Sequence, residues 1–199
     1  MKIKDIIIAS NNVGKIVEIK HILTPLSVNI WSMQEKGIYV AVEEDGDSFQ
    51  ENAVKKAMTV CKAADEWTLA DDSGLIVQAL NGRPGIYSAR FAGQNAGDED
   101  NRKKLLDIMK DIPWSQRKAS FYCCIALVSP DGHVITADGQ CDGYITYEER
   151  GNDGFGYDPV FWIPEYNKTF AQLDASVKNR ISHRAKALEA LKDKIKDYI

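Results

Sequence analysis

The chain opens on an apolar, β-branched run, Ile3 to Ala9, closed by the polar cluster Ser10-Asn11-Asn12; the pattern predicts a buried strand. From Gly14 to Leu23, the positions Ile16, Ile19, Ile22 and Leu23 recur at helical spacing, so the first unit reads strand, polar loop, helix. A second strand is expected near Ser27 to Trp31. Ser48-Phe49-Gln50-Glu51 fits a capping box, in which serine and glutamate satisfy each other's backbone N–H groups. Ala53, Ala57, Val60, Cys61 and Ala64 form one face of the helix that follows. Trp67 to Ala70 returns as a strand, and Ala70-Asp71-Asp72-Ser73-Gly74 reads as the place where it stops and turns. Leu75 to Leu80 predicts another strand before the turn cluster Asn81-Gly82-Arg83-Pro84-Gly85.

The second half changes character. Residues 98 to 110 predict an amphipathic helix with Leu105, Leu106 and Met109 on one face, and Ala119 to Val128 is apolar at both parities, as in a central strand covered on both sides. Pro130-Asp131-Gly132 turns the chain into Val134 to Gly139, with Gly143 to Tyr147 continuing the meander and Val160 to Trp162 a last apolar stretch. Ser182 is the expected N-cap of a closing helix whose core face is Leu188, Leu191 and Ile195. His183 and Arg184 then fall in the first turn, where cations oppose the helix dipole, so an acceptor-rich partner is expected. The order predicts one α/β domain over residues 1–199: a long mixed β-sheet with flanking helices and two lobes around a central cleft.

Composition narrows the classes. A formal charge of -4 argues against a sequence-independent nucleic-acid binder, which carries a basic excess. Cys61, Cys123, Cys124 and Cys141 include no Cys-x-x-Cys spacing, and His21, His133 and His183 are scattered, so neither structural zinc nor a disulfide framework is expected. The N-terminal residues read as a strand and not as a leader, and no apolar run has the length of a membrane span. A cytoplasmic protein with reduced thiols is the expectation.

Three stretches carry candidate chemistry. Ser10-Asn11-Asn12-Val13-Gly14-Lys15 joins a strand to a helix, where free backbone N–H groups and the helix dipole favour an anion; it reads either as a helix cap or as a phosphate loop. The Asp71-Asp72 pair, together with Glu43 or Glu44 in the acidic loop, offers the hard oxygen ligands that suit Mg²⁺; a solvated turn is the alternative. Gly151 to Asp158 interleaves glycines with Phe155 and Tyr157, letting a ligand approach the backbone closely while an exposed aromatic stacks on a planar ring.

Taken together, Ser10-x-Asn12-x-Gly14-Lys15, Ser48-Phe49-x-Glu51-Asn52-Ala53, Ala70-Asp71-Asp72-Ser73-Gly74-Leu75, Gly85-Ile86-Tyr87-Ser88-Ala89-Arg90, Gly154-Phe155-Gly156-Tyr157-Asp158-Pro159 and Ser182-His183-Arg184-Ala185-Lys186-Ala187 resemble the inosine/xanthosine triphosphate pyrophosphatase family. The resemblance implies a Mg²⁺-dependent enzyme, commonly a homodimer, whose central cleft takes a nucleotide. Its substrates would be ITP, dITP and XTP, cut between the α and β phosphates to monophosphate and pyrophosphate. It implies a phosphate loop at Ser10, Asn11, Asn12, Val13, Gly14 and Lys15, with Lys15 gripping the triphosphate. Metal carboxylates would be Glu43 and Asp72, with Asp72 also the general base and Ser73 touching substrate beside it. The base pocket would comprise Phe155, Gly156, Tyr157, Asp158, Lys178, His183 and Arg184. The sequence departs from the family's more usual Thr-Gly-Asn at Ser10-Asn11-Asn12; Asn tolerates left-handed geometry, so the loop shape is expected to survive.

Elementary chemistry agrees in part. Neighbouring strand residues face opposite ways, so only one of Asp71 and Asp72 is expected at a metal, with Asp71 facing away. Hypoxanthine and xanthine present an acceptor at C6 where adenine presents a donor, so donors from His183 and Arg184 would favour them. Two rivals are an enzyme of similar reaction acting on modified pyrimidine nucleotides and a non-catalytic nucleotide sensor.

Overall fold

Alternation and helical periodicity place most of the elements in a computed structural model that describes residues 2–199. The strands are β1 (Asp5–Ile8), β2 (Asn29–Ser32), β3 (Thr68–Val77), β4 (Lys118–Val128), β5 (Val134–Ile145), β6 (Phe161–Ile163) and β7 (Lys168–Thr169). The helices are α1 (Val13–Leu23), α2 (Phe49–Ala64), α3 (Asp98–Ile108), α4 (Ala175–Ile181) and α5 (His183–Ile195). The strands form one mixed sheet in the order β2-β1-β3-β4-β5-β6-β7. β1 runs parallel to β2, with Ile7 opposite Trp31, and parallel to β3, with Ile8 opposite Leu69; β6 is antiparallel to both β5 and β7. This is the expected α/β class with its long mixed sheet.

The chain divides into two units: one holds the chain up to Asp72, Cys123–Gly139 and His183–Ile199, the other Ser73–Tyr122 and Gln140–Ser182. Each has its own core. In the first, Ile6, Ile8, Ile19, Leu23, Leu69, Ile125, Leu127, Leu188 and Leu191 pack together. In the second, Leu75, Val77, Leu105, Met109, Phe121, Phe161 and Phe170 do so. A fully buried side chain of this kind contributes about 1.5–3 kcal/mol.

Several expectations are corrected. The chain does not stop and turn at Asp71-Asp72: β3 runs unbroken from Thr68 to Val77, and Gln78–Leu80, expected to be strand, is a single 3-10 turn. The two strand pieces expected between Val134 and Tyr147 are one strand, β5, and the short β7 was not anticipated. Gly139 lies within β5 for a packing reason: a Cβ there would collide with the carbonyl oxygen of His183 and the amide nitrogen of Ala187. The closing helix, α5, begins at His183 directly after Ser182 as expected; the additional feature is the short α4 before it, of which Ser182 is the C-cap. At α2 the box is half present. Ser48 accepts from the Glu51 N–H, but Glu51 turns to the Asp47 N–H at 2.8 Å instead of that of Ser48.

Candidate active site

In the first unit, the loop between β1 and α1 is a helix cap as well as an exposed loop. Asn12 is the N-cap of α1, its Oδ1 accepting from the Lys15 N–H at 3.0 Å, while the Ser10 Oγ accepts from the Asn12 N–H at 3.1 Å. Asn11, Asn12 and Val13 are exposed, Val13 at 73%, and Gly14 and Lys15 are half-buried. Asn11 is absent from the positive-φ residues, so the loop asks for no glycine there and the departure from Thr-Gly-Asn costs no backbone strain. The cap places the first turn of α1, with Val13 and Gly14, at this exposed loop, and a helix N-terminus favours an anion.

β3 carries Asp71 and Asp72 beneath that loop, both buried, at 2% and 5% exposure. Their partners confirm strand alternation. Asp71 meets α1 and α5: its carboxylate lies 2.7 Å from the Lys15 ammonium and accepts from Arg184 Nε at 3.0 Å and Nη2 at 2.8 Å. Arg184 Nη1 also donates to Glu18 of α1. Asp72 meets α2 instead, accepting from the Lys56 ammonium at 3.0 Å and from Asn52 Nδ2 at 3.3 Å. Burial alone would raise the Asp71 pKa, but Arg184 and Lys15 outweigh it and hold the carboxyl well below its ordinary range. At Asp72, burial prevails over Lys56 and Lys15 and pushes the carboxyl up. The two neighbouring carboxylates thus sit in contrasting environments: the cations around Asp71 favour its ionised form, whereas burial disfavours that of Asp72.

Lys56 also reaches Glu44 of the acidic loop at 3.0 Å, so its ammonium bridges Glu44 and Asp72. Asn52 performs a parallel task, its Oδ1 accepting from the Gly46 N–H at 2.9 Å. The acidic loop is thereby tied to Asp72 through two residues of α2. Glu43 is exposed, and of the two glutamates Glu44 is the one joined to Lys56. The donor set is hard oxygen, and a cationic group already lies between two carboxylates, so these residues fit Mg²⁺ chemically. Among the described residues no three His, Cys, Asp or Glu side chains form a ready-made metal cage; Mg²⁺ bound here would take water and phosphate oxygens for its other positions.

The family model of the Ham1 family matches residues 6–194. The chain belongs to the Ham1 family. It is 49% identical over 199 residues to a dITP/XTP pyrophosphatase of Clostridium perfringens, covering 97% of this chain and 98% of that protein. It is 51% identical to a dITP/XTP pyrophosphatase of Leuconostoc mesenteroides, covering 96% of each. Among solved structures it resembles the Staphylococcus aureus Ham1 protein, with a TM-score of 0.86 and 42% identity over 98% of this chain and 100% of that one. A Ham1 protein from Coxiella burnetii gives a TM-score of 0.87 at 39% identity, with the same coverage.

For this Ham1 family chain, the glycine-rich loop of the second unit has its own geometry. Phe155 to Asp158 forms a turn closed from within. The Asp158 carboxylate accepts from the Phe155 N–H at 2.9 Å and from the Lys178 ammonium of α4 at 2.5 Å, and the Asp158 N–H donates to the Phe155 carbonyl at 3.2 Å. The same ammonium lies 4.7 Å from the centre of the half-buried Phe155 ring. Tyr157 corrects the expectation of an exposed stacking ring: it is 4% exposed, packs in the core of the unit and donates its hydroxyl to the Ser88 carbonyl at 2.9 Å. Ser73, just past Asp72, is half-buried on β3.

His183 and Arg184 do not stand exposed at a helix start, as their sequence position suggested. They are 4% and 1% exposed, and the acceptor expected for the cation is internal, the carboxylates of Asp71 and Glu18. The structure brings Lys15, Asp71 and Arg184 into one ion network, Asp72 and Lys56 into another, and Lys178, Phe155 and Asp158 into a third group. Sequence reasoning missed Asn52, Lys56 and Glu18. A signal was available: Asn52 and Lys56, spaced i, i+4, lie on the same apolar face of α2 as Ala53, Ala57 and Val60, and polar residues on a buried face need partners.

Proposed function

We propose that this chain is a Mg²⁺-dependent hydrolase of non-standard purine nucleoside triphosphates, taking ITP, dITP and XTP to monophosphate and pyrophosphate. The observation that carries the reading is the pair of adjacent buried carboxylates on β3, each met by a lysine from a different helix, in a chain whose full-length relatives are named dITP/XTP pyrophosphatase. Phosphoanhydride cleavage asks the protein chiefly for charge neutralisation and alignment of water. Lys15 and the loop Ser10 to Gly14, with the N–H groups of Val13 and Gly14 in the first turn of α1, bind the triphosphate in this reading. Asp72 and Glu43, with Glu44 beside it, hold Mg²⁺, which supplies neutralisation of the phosphate oxygens when bound. Asp72 orients the attacking water and receives its proton as the water oxygen bonds to phosphorus and the bridging oxygen leaves with pyrophosphate. With Mg²⁺ bound the Asp72 carboxylate would be a weak base, so its part is to position the metal and the attacking water at least as much as to accept a proton. Ser73 contacts the substrate beside it.

The base falls to the Phe155, Gly156, Tyr157 and Asp158 turn with Lys178, His183 and Arg184. Phe155 supplies the ring face and Tyr157 the rigid backing, and the cationic side chains favour an oxygen at C6. Arg184 contributes first to the electrostatics of Asp71, so any contact with the base comes through a side chain already fixed by carboxylates. We further propose that residues 1–199 act as a single catalytic domain, a homodimer in the cytoplasm. Support for the compartment is that Cys61, Cys123, Cys124 and Cys141 are buried thiols, as in a reducing environment.

The test is hydrolysis of ITP, dITP, XTP, GTP, ATP and modified pyrimidine triphosphates with Mg²⁺ and with chelator. Monophosphate plus pyrophosphate from the first three, abolished by chelation, is expected. Release of single orthophosphate, or binding without turnover, contradicts the proposal.

A further inference from the structure

We propose that Asp98 and Arg102 of α3 are positioning residues that set nucleobase selectivity by clasping the backbone of the Phe155–Asp158 turn from outside. The inference rests on the assignment of that turn to the base. Both polar groups of the Gly156 backbone are held by side chains of one helical turn. The Asp98 carboxylate accepts from the Gly156 N–H at 2.7 Å, and Arg102 Nη1 donates to the Gly156 carbonyl at 2.9 Å. Spacing of i, i+4 puts the two side chains on the same face of α3. Arg102 continues the clasp to the start of the loop, its Nε 3.0 Å from the Glu149 carboxylate.

The geometry gives the clasp leverage. Gly156 has φ of +60°, a left-handed conformation that glycine adopts without penalty and that leaves it the least constrained residue of the turn. Within the turn, hydrogen bonds join Phe155 to Asp158 and do not involve Gly156. Of the peptide planes on its two sides, the one with the Phe155 carbonyl and the Gly156 N–H is held by Asp98 together with the Asp158 N–H, and the one with the Gly156 carbonyl and the Tyr157 N–H is held by Arg102. One plane aims Phe155, whose ring lies against the Lys178 ammonium; the other leads to Tyr157, anchored on Ser88. Asp98 sits in the first turn of α3, where a carboxylate is favoured by the helix dipole. A site whose polar groups are held rigidly rejects the wrong base more strongly than one that can relax around it.

The experiment compares the parent with Asp98→Ala, Asp98→Asn, Arg102→Ala and Arg102→Lys in steady-state pyrophosphate release from ITP and GTP with Mg²⁺, alongside thermal unfolding. Both alanine variants are expected to raise KM for ITP about tenfold, the scale of one lost charge-assisted hydrogen bond. They should leave kcat within about twofold and narrow the ITP-to-GTP ratio of kcat/KM by a similar factor. Asp98→Asn keeps an acceptor and Arg102→Lys a charged donor, so each should recover most of the ratio. Alanine variants with the parent's KM and ratio overturn the inference. So does a uniform loss of kcat for both nucleotides with lowered thermal stability, which is what a purely structural contact predicts. A parent that releases no pyrophosphate from ITP refutes the assignment of the turn itself, and the clasp falls with it.

Discussion

Asp71 and Asp72 are identical side chains one residue apart, and their neighbours give them opposite work. Asp71 faces two cations, Lys15 and Arg184, and is fully buried; Asp72 shares one lysine with Glu44. Replacing Asp71 by Asn leaves Arg184 and Lys15 short of a countercharge in a dry setting, and breaking such a pair costs about 3–5 kcal/mol. Chemical denaturation should show Asp71→Asn destabilised on that scale. Asp72→Asn removes a carboxylate that burial disfavours, so its stability should stay near that of the parent. Turnover of ITP should fall by about 10²-fold or more while nucleotide binding persists, as expected when alignment of the reacting groups is lost. Equal turnover by Asp72→Asn and parent would remove Asp72 from the chemistry. At this scale the sequence was legible where alternation decided the matter: one Asp to each side. It misled where turn chemistry competed. Asp-Asp-Ser-Gly has the composition of a solvated turn, and only cations from α1, α2 and α5, far away in the chain, make its burial affordable.

At the scale of elements, the periodic segments emerged within a residue or two: α1, α2, α3 and β4 all fall where apolar spacing put them. The failures share a cause. Glycine and short polar residues were read as punctuation in β3 and β5, whereas in the structure they answer to neighbours. Gly139 is the clearest case, because its backbone conformation is ordinary and the demand is close approach by α5, whose His183 carbonyl and Ala187 amide occupy the space a side chain would need. Gly139→Ala should therefore destabilise by about 1–3 kcal/mol through overpacking. Because α5 carries Arg184 to Asp71, the same change should lower ITP turnover even though Gly139 touches no substrate. Circular dichroism melts and ITP kinetics on this variant check both effects; a parent-like melt would mean that α5 shifts aside at no cost. The capping of α2 shows the converse, since Ser48 could be named as its cap from sequence, whereas the diversion of Glu51 to Asp47 depends on a loop path that no local pattern encodes.

For the whole molecule, the two units have separate cores, which on its own would allow each to melt independently. Chain connectivity argues otherwise. β3, β4 and β5 each begin in one unit and end in the other: β3 passes at Asp72–Ser73, β4 at Tyr122–Cys123 and β5 at Gly139–Gln140. Melting either unit would fray three strands in mid-ladder, exposing backbone groups that need partners, and the residues at those passages include Asp72 itself. A single cooperative transition is therefore expected. Trp31 and Trp67 report on one unit, Trp114 and Trp162 on the other. Urea denaturation followed by tryptophan fluorescence, by far-ultraviolet circular dichroism, and by fluorescence of Trp67→Phe and Trp162→Phe should give superimposable curves with one midpoint per variant. Separated midpoints within one variant would instead make residues 1–199 two domains threaded by shared strands. The Asp71-Asp72 network would then have to be held by the first unit alone, because Lys15, Glu18, Lys56 and Arg184 all belong to it.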